Sequence, residues 1–347
     1  MQISTISIDL AKSVFQLMMF DNARNVVQEK RLNRAEFYQF VQEHPPCAVV
    51  MEACGSAHYW AQLFEQHGFS VKLIPPQHVR AFVRGNKNDR NDALAIYEAS
   101  ERPFMRPVPI KTPQQQEVMM LHRVRERLVQ QRVALTNQTR GLLSEIGVVF
   151  AKGNAAYLEA VQHLLDGESL SAMQRVVLLQ SKEEYQQLSE HMKAIEQQLR
   201  QYVQQSPAAL LLQSIPGIGV LNASAFAASI DKGQAFKNAK EFAVWLGLTP
   251  TQYASGLKSR NGTISKRGDR YLRTLLIHGA RSLLKQLSKV DDDLSRWFTS
   301  LRTRMHLNGA IVALAHRLAR LMWTLLSRGE TYRATSNGHE APAAAAQ

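Results

Sequence analysis

The chain has 347 residues, of which 45% are hydrophobic, and a formal net charge of +13. This length predicts two or three domains with a real hydrophobic core, and so positive a chain is expected to bind nucleic acid. Without a signal peptide or an apolar run of the roughly 18 residues that span a bilayer, and with only Cys47 and Cys54 as thiols, the sequence favours a soluble protein of the reducing cytoplasm with no membrane partner.

The first hundred residues alternate strand and helix signals. Short runs rich in β-branched and aromatic residues predict five strands, at 3–10, 13–20, 25–32, 47–52 and 70–76. Helical stretches are predicted at about 34–43 and 56–67, and a further helix contains the segment KNDRNDALAIYEAS, residues 87–100. The order β-β-β-α-β-α-β-α starts as a meander and indicates an α/β domain over residues 1–111.

The next hundred residues have a different character. Residues 114–146 carry apolar side chains at helical spacing with no proline, and residues 172–204 repeat the pattern with many glutamines. A shorter helix near 156–166 joins the two. Such long polar helices are typical of an antiparallel or intermolecular coiled coil, so we predict a coiled-coil arm over 112–208.

The last part of the chain is predicted to be mainly helical. It spans residues 209–328 and opens with IPGIGV, residues 215–220, where two glycines and a proline predict a tight turn between helices. The backbone N–H groups at Gly217 and Gly219 either face a phosphate, as in helix-hairpin-helix modules, or simply close an interhelical turn. Residues 329–347 contain almost no large apolar side chain, which predicts a disordered tail.

Four acidic residues fall where the predicted fold can bring them together. Asp9 lies at the C-terminal end of the first strand and Glu52 at the end of the fourth, and Asp89 and Asp92 lie three residues apart at the start of a helix. Ends of neighbouring strands lie side by side, and carboxylates in one small site repel unless cations neutralise them, so the set predicts bound Mg²⁺, or Mn²⁺ as a substitute. This pattern is typical of a ribonuclease-H-like nuclease. Glu98, further along the helix, is expected to be solvated.

A basic segment follows in the third region. Between Lys258 and Lys285 eight cations face a single acid, Asp269, and the dipeptide Asn261-Gly262 predicts a turn. One sign of charge almost unopposed among polar residues favours a phosphate-binding surface. The cations are Lys258, Arg260, Lys266, Arg267, Arg270, Arg273, Arg281 and Lys285.

Five segments in this order resemble a known family. They are SIDLAKSVFQL, MEACGSAHYW, KNDRNDALAIYEA, IPGIGVLNASAFAASI and GLTPTQYASGLKSRNGTISKRGDRYLRTLLIHGAR. Together they resemble the DEDD transposases of the insertion-sequence one-ten and one-eleven-eleven family, over nearly the whole chain apart from the tail.

The resemblance implies a multidomain protein. It implies an N-terminal RuvC-like domain of RNase H fold, a coiled-coil arm and a C-terminal transposase domain. It also implies that donor and target DNA are recombined under the direction of a structured bridge RNA, by a homo-oligomer, dimer or tetramer, associated with the bacterial nucleoid. The family pattern assigns the acidic tetrad to Asp9, Glu52, Asp89 and Asp92, and tips the glycine turn towards nucleic acid.

The same pattern assigns Ser255 as a nucleophile. A serine needs a base, a metal or a positive field to react, and Ser255 stands just ahead of Lys258 in a segment otherwise expected to be a loop. The chain departs from the family wording at Ala254 and Leu257, which leaves Ser259 as a weaker candidate, and at Cys54, to which no chemistry is assigned. Two alternatives remain open: a structure-specific endonuclease in which the tetrad activates water, and a non-catalytic nucleic-acid-binding protein.

Overall fold

The protein divides into two compact units. In this computed structural model, residues 2–84, 88–103, 105–230, 233–255, 258–287, 292–333, 335–336 and 339–340 are described. One unit comprises Met1–Gln114 and the other Gln115–Gln347.

A five-stranded sheet forms the centre of the first unit. Its strand order is β3-β2-β1-β4-β5, with β1, β2 and β3 antiparallel and β1, β4 and β5 parallel. The strands are β1 (Thr5–Leu10), β2 (Val14–Phe20), β3 (Val26–Asn33), β4 (Ala48–Glu52) and β5 (Ser70–Ile74). The predicted strands and the central pairing of the first and fourth are therefore confirmed.

Helices cover both faces of this sheet. Ile6 and Ile8 point to one face, where they join an aromatic-rich core with Phe37 and Trp60. The opposite face of β2 packs against Tyr97, whose ring stacks on that of Phe20 at 3.6 Å. The helices are α1 (Arg34–Glu43), α2 (Ala57–Gln66), the short α3 (Pro76–Val79) and α4 (Asp89–Ser100). An RNase H-like transposase domain is compatible with this mixed α/β architecture.

Three helices open the second unit and share one hydrophobic cluster. They are α5 (Pro113–Glu145), α6 (Asn154–Asp166) and α7 (Ala172–Gln205), within one or two residues of the predicted bounds. Leu135 of α5, Tyr157 of α6 and Tyr185 of α7 lie in that cluster, and Arg125 pairs with Glu196 at 2.7 Å. The shared cluster holds the long helices within one chain, while a supercoil between them remains a prediction.

The rest of the second unit is a helical core with a β-hairpin. The helices are α8 (Pro207–Gln213), α9 (Val220–Ile230), α10 (Ala239–Trp245), α11 (Arg270–Leu287), α12 (Asp293–Arg302) and α13 (Leu307–Arg328). The hairpin consists of β6 (Pro250–Ser255) and β7 (Lys258–Ile264), where the sequence predicted a loop. Asn261 and Gly262, predicted as a turn, lie inside β7, and Asn261 pairs with Gln252.

The C-terminal helix is buried on one side. Among the described residues, α13 is the one helix long and apolar enough to cross a membrane, but half of its most apolar window is buried in the helical core. Beyond it, Tyr332 packs against the same core and its backbone N–H donates to Ser214 Oγ at 2.9 Å. The predicted disordered tail otherwise lies largely outside the described residues, apart from the short strands β8 (Thr335–Ser336) and β9 (His339–Glu340).

Candidate functional site

Two acids of the predicted tetrad lie side by side on the central strands. Ile8 pairs with Met51 in the parallel register of β1 and β4, so Asp9 and Glu52 occupy the next position on each strand. Both are partly exposed. Because side chains alternate along a strand, they share a face with Ser7, two residues before Asp9.

That face is the one covered by α4. The buried Ser7 hydroxyl donates to the Ala93 carbonyl of α4 at 2.5 Å. Val50, which pairs with Ser7, packs against Ile96 of the same helix. The start of the second turn of α4, at Ala93, is therefore attached to the sheet two residues before Asp9.

The other two acids lie in the first turn of α4. The Asn88 side chain caps α4 by accepting from the Asn91 N–H at 2.7 Å, which orients the helix start. Asp89 is exposed, with a carboxylate oxygen 4.0 Å from the Arg31 guanidinium, and Asp92 is partly exposed. The structure thus brings the four acids to one face of the sheet and to the helix above it.

Whether the four acids could bind a metal ion depends on their arrangement and on their chemistry. Within the described part of the chain, no three His, Cys, Asp or Glu side chains are arranged so that they could hold an ion. The donor chemistry fits Mg²⁺, since all four predicted ligands are carboxylates, two near the ends of neighbouring central strands and two at a helix start. The tetrad as a metal site stays a prediction.

Ion pairs hold the helix start on the outer strand. The Arg90 Nε lies 3.0 Å from both carboxylate oxygens of Glu29 on β3, and this hydrogen bonding and charge raise the pKa of Arg90. Glu98 differs from the expected solvated residue. Its side chain is only 24% exposed, and a carboxylate oxygen lies 3.6 Å from the Arg84 guanidinium, so this acid pairs with Arg84 instead of being solvated.

The predicted nucleophile lies at the exposed end of the hairpin. Ser255 is the last residue of β6, pairs with Lys258, and is exposed. The neighbouring Gly256 and Leu257, and the side chains of Lys258 and Ser259, lie outside the described residues. Further down the hairpin, Tyr253 is 66% exposed and pairs across the strands with the exposed Arg260.

A tightly packed turn presents part of the basic segment. Gly268 approaches the backbone of Trp245 too closely for any side chain. A Cβ at Gly247 would lie 2.7 Å from the backbone nitrogen of Arg267. Lys266 adopts a positive φ of 55°, and its N–H donates to the Gly247 carbonyl at 3.1 Å. The backbone is thus held while Lys266, Arg267 and Arg270 remain exposed.

Arg273 has a different place from the one predicted. It is 8% exposed, and its guanidinium donates to the carbonyls of Leu246 and Gly268, each at 3.1 Å. A buried cation satisfied by backbone carbonyls holds the basic turn from inside rather than contacting a phosphate. Periodicity alone does not reveal this, because Arg273 reads as one more member of a charge run.

The glycine turn packs against α11 and borders a pocket. Gly217 has a φ of +82°, and a Cβ there would lie 2.9 Å from the Gly279 carbonyl, so helix packing accounts for this glycine. Gly219 has open space around it and lines a pocket of about 400 Å³ with Arg200, His278 and others. Helix packing therefore explains the glycine at position 217, whereas no close contact requires a glycine at position 219.

A buried histidine that the sequence did not single out connects three helices. His122 of α5 is fully buried; its Nδ1 lies 2.8 Å from the Tyr271 hydroxyl on α11 and its Nε2 lies 3.0 Å from Ser224 Oγ on α9. Since Ser224 donates to the Val220 carbonyl at 2.6 Å, it accepts from His122, and Tyr271 donates to His122. Burial lowers the pKa of His122 to about 4 and raises that of Tyr271 to about 12.

Comparison with known proteins shows which protein family the chain resembles. A family model described as a DEDD-type transposase of the IS110 group matches residues 6–148, and one described as "Transposase IS116/IS110/IS902 family" matches residues 209–294. The chain is 44% identical over 336 residues to a "Probable family 20 transposase" of Pseudomonas aeruginosa, covering 96% of this chain and 99% of that one. It is 40% identical over 333 residues to the "Transposase for insertion sequence element IS1111A" of Coxiella burnetii, with 95% and 92% covered.

The chain belongs to the IS110-type family of DEDD transposases. It is also 37% identical over 330 residues to the "Transposase for insertion sequence element IS1328" of Yersinia enterocolitica, with 95% of this chain and 98% of that one covered. The transposase is therefore an enzyme that acts on DNA, and the non-catalytic alternative is set aside. Members of this nuclease-like DEDD family usually use a divalent metal.

The matched regions of the transposase contain both candidate sites. The DEDD-type match covers all four acids, and the second match contains the hairpin, the basic turn and the glycine turn. A signal for the hairpin was present in the sequence: Gly-Leu flanked by TQYAS and KSRNGTI fits a two-residue hairpin connection with glycine first.

Proposed function

We propose that this transposase is directed to donor and target DNA by a structured bridge RNA and exchanges strands with a composite site made of the four acids and Ser255. The observation that carries the catalytic part is the β1–β4 register, which sets Asp9 beside Glu52 beneath the α4 turn that holds Asp89 and Asp92. The RNA guide rests on the family resemblance together with the net charge of +13.

The acids would hold a divalent cation. Carboxylate oxygens suit Mg²⁺, with Mn²⁺ as a substitute, and an ion bound there supplies the positive charge that polarises a scissile phosphate. Asp9 and Glu52 lie on neighbouring strands and Asp92 on a capped helix turn, so the protein's own contribution is to carry these negative charges on regular elements of one unit.

Ser255 is the nucleophile in this proposal. Its Oγ attacks phosphorus, so that an Oγ–P bond forms while the bond to the leaving deoxyribose oxygen breaks; a base takes up the hydroxyl proton and the leaving oxygen is protonated. The exposed cations Arg260, Lys266 and Arg267 belong to the same matched region and provide a positive field that favours the serine alkoxide. The covalent phosphoserine then conserves the phosphodiester energy for strand exchange.

The acids and the serine belong to different compact units. Catalysis on one phosphate therefore requires the two units to act together, either within one chain or between copies in a dimer or tetramer. Lys258, Arg260, Lys266, Arg267 and Arg270 are proposed to bind nucleic-acid phosphates with the backbone at Gly219, while Gly217 and Arg273 shape that surface.

The test is a trapped protein–DNA adduct. Wild-type protein with its RNA, Mg²⁺ and a labelled DNA junction should form a species that survives denaturation and maps by peptide mass to Ser255. Ser255→Ala should bind DNA normally but neither cut nor form the adduct, whereas the matched control Ser259→Ala should do both. Cleavage by Ser255→Ala without any adduct would instead support an endonuclease that activates water.

A further inference from the structure

A second and larger groove lies at the base of the hairpin. It has a volume of about 1000 Å³ and is bordered by α13, the Trp297 ring of α12 and the hairpin residues Pro250 and Ile264. It lies apart from the pocket at the glycine turn, with which it shares no lining residue. Its lining is mostly apolar, with a cationic side along α13.

The sequence of α13 explains why the helix offers one face to this groove. Leu314 and Leu318 point into the helical core and are fully buried. Asn308, His316 and Arg320, spaced at multiples of four residues, lie on the groove side. The groove face is therefore a continuous strip of the helix that packing leaves available.

The charge on this strip has one sign. Arg317 and Arg320 both line the groove, and its described lining contains no acidic residue. The Arg317 guanidinium carbon lies 4.6 Å from the centre of the Trp297 ring, and this cation–π contact holds the guanidinium against the groove wall. A guanidinium group packed on an aromatic ring is a surface on which a nucleobase can stack. The positive charge of Arg320 favours a polyanion such as a nucleic-acid backbone.

The groove also lies within reach of the proposed nucleophile. Pro250 borders the groove and Ser255 ends the same strand, so the two ends of β6 are about 17 Å apart at ~3.3 Å per residue. A stacked strand covers that distance in roughly five nucleotides, at ~3.4 Å each. Strand exchange requires DNA that is unpaired close to the cut bond.

We propose that this groove binds the unpaired DNA strand that flanks the phosphate attacked by Ser255, with a base stacked on Arg317 and a backbone phosphate paired with Arg320. This proposal rests on the DNA-cutting role proposed for Ser255, and it adds a place for the single strand. The apolar lining at Val312 and Ile264 receives the sugar and base edges.

Photocrosslinking of the wild-type protein tests the location. DNA junctions carry 5-iododeoxyuridine at single positions within about five nucleotides of the cut site, and adducts are mapped after trypsin digestion. An adduct in one of the two tryptic peptides that line the groove, Trp297–Arg302 or Met305–Arg317, is expected from at least one position. Adducts confined to other peptides, or formed from labelled RNA and not from DNA, would overturn the proposal.

Three variants separate stacking from charge. Arg317→Lys keeps the charge and loses the plane, so affinity for single-stranded DNA should fall about tenfold with the salt dependence unchanged. Arg320→Ala should flatten the salt dependence by about 0.7 in slope. Arg328→Ala, an exposed arginine of the same helix outside the groove, should change neither.

The outcomes distinguish this groove from the proposed function. If Arg317→Lys and Arg320→Ala both bind single-stranded DNA like the wild type, the groove proposal is wrong, while adduct formation at Ser255 can still stand. If the wild type forms no adduct at Ser255 but crosslinks in a groove peptide, Trp297–Arg302 or Met305–Arg317, the serine chemistry is wrong and the groove remains a binding site for single-stranded DNA.

Discussion

The buried His122 makes the free energy of unfolding of this transposase depend on pH. Burial, and to a smaller extent the charge of Arg125, lowers its pKa from the ordinary 6.5 to about 4. The unfolded chain therefore binds the proton more tightly than the folded protein does. The resulting stability is fully present above pH 6.5 and is lost as the pH falls towards 4.

The magnitude follows from the size of the shift. Each unit of pKa difference corresponds to about 1.4 kcal/mol, so His122 alone should remove about 3 kcal/mol from the free energy of unfolding between pH 6.5 and 4. That loss is large against the roughly 5–15 kcal/mol by which proteins of ordinary stability are folded.

The measurement compares His122→Gln with the wild type. A glutamine can still accept from Tyr271 and donate to Ser224, but it does not titrate. Urea unfolding at a series of pH values should show the wild type losing about 3 kcal/mol more than the variant over this interval. His316→Gln is the matched control, since burial also lowers the pKa of His316 but that side chain is partly exposed, so its effect should be smaller. Parallel curves for the wild type and His122→Gln would refute the reasoning.

Three further outcomes are expected. Asp9→Asn or Asp92→Asn should abolish strand cleavage while nucleic-acid binding persists, because the change removes ligand charge at little steric cost; wild-type recombination by either variant in a plasmid assay would contradict the tetrad. In the double variant Arg267→Ala and Arg270→Ala, the slope of log affinity for DNA against log salt concentration should become shallower by about 0.9 per lost duplex contact. The slope is measured by binding titrations at several salt concentrations. An unchanged slope would mean that DNA binds to another face of the protein. Gly217→Ala should lower the free energy of unfolding by about 1–3 kcal/mol in chemical denaturation, because a side chain there combines positive φ with a close approach to the α11 backbone. The control Gly219→Ala, where a Cβ would meet open space, should lower the free energy of unfolding by less.

Much of the site's location was predictable from local pattern. The strands that carry Asp9 and Glu52 near their C-terminal ends are short runs rich in β-branched residues. The helix start at Asp89 follows a capping asparagine, so these elements could be predicted from neighbouring residues. The strand order then brings the first and fourth strands together, which the parallel register of β1 and β4 confirms. The residue types also indicated the chemistry, since hard oxygen ligands and clustered cations are properties of the side chains themselves.

Other features depended on which surfaces meet in the folded chain. Arg273 looks like its basic neighbours in sequence, yet packing turns it inward to bind the Leu246 and Gly268 carbonyls. His122 is one polar residue among many on α5, and only the approach of α9 and α11 makes it a buried link. The sequence by itself determined the elements and their chemistry, because periodicity and side-chain type are local. The tertiary structure alone decided which cations are exposed and which face of α13 lines a groove, because burial depends on partners far away in the chain.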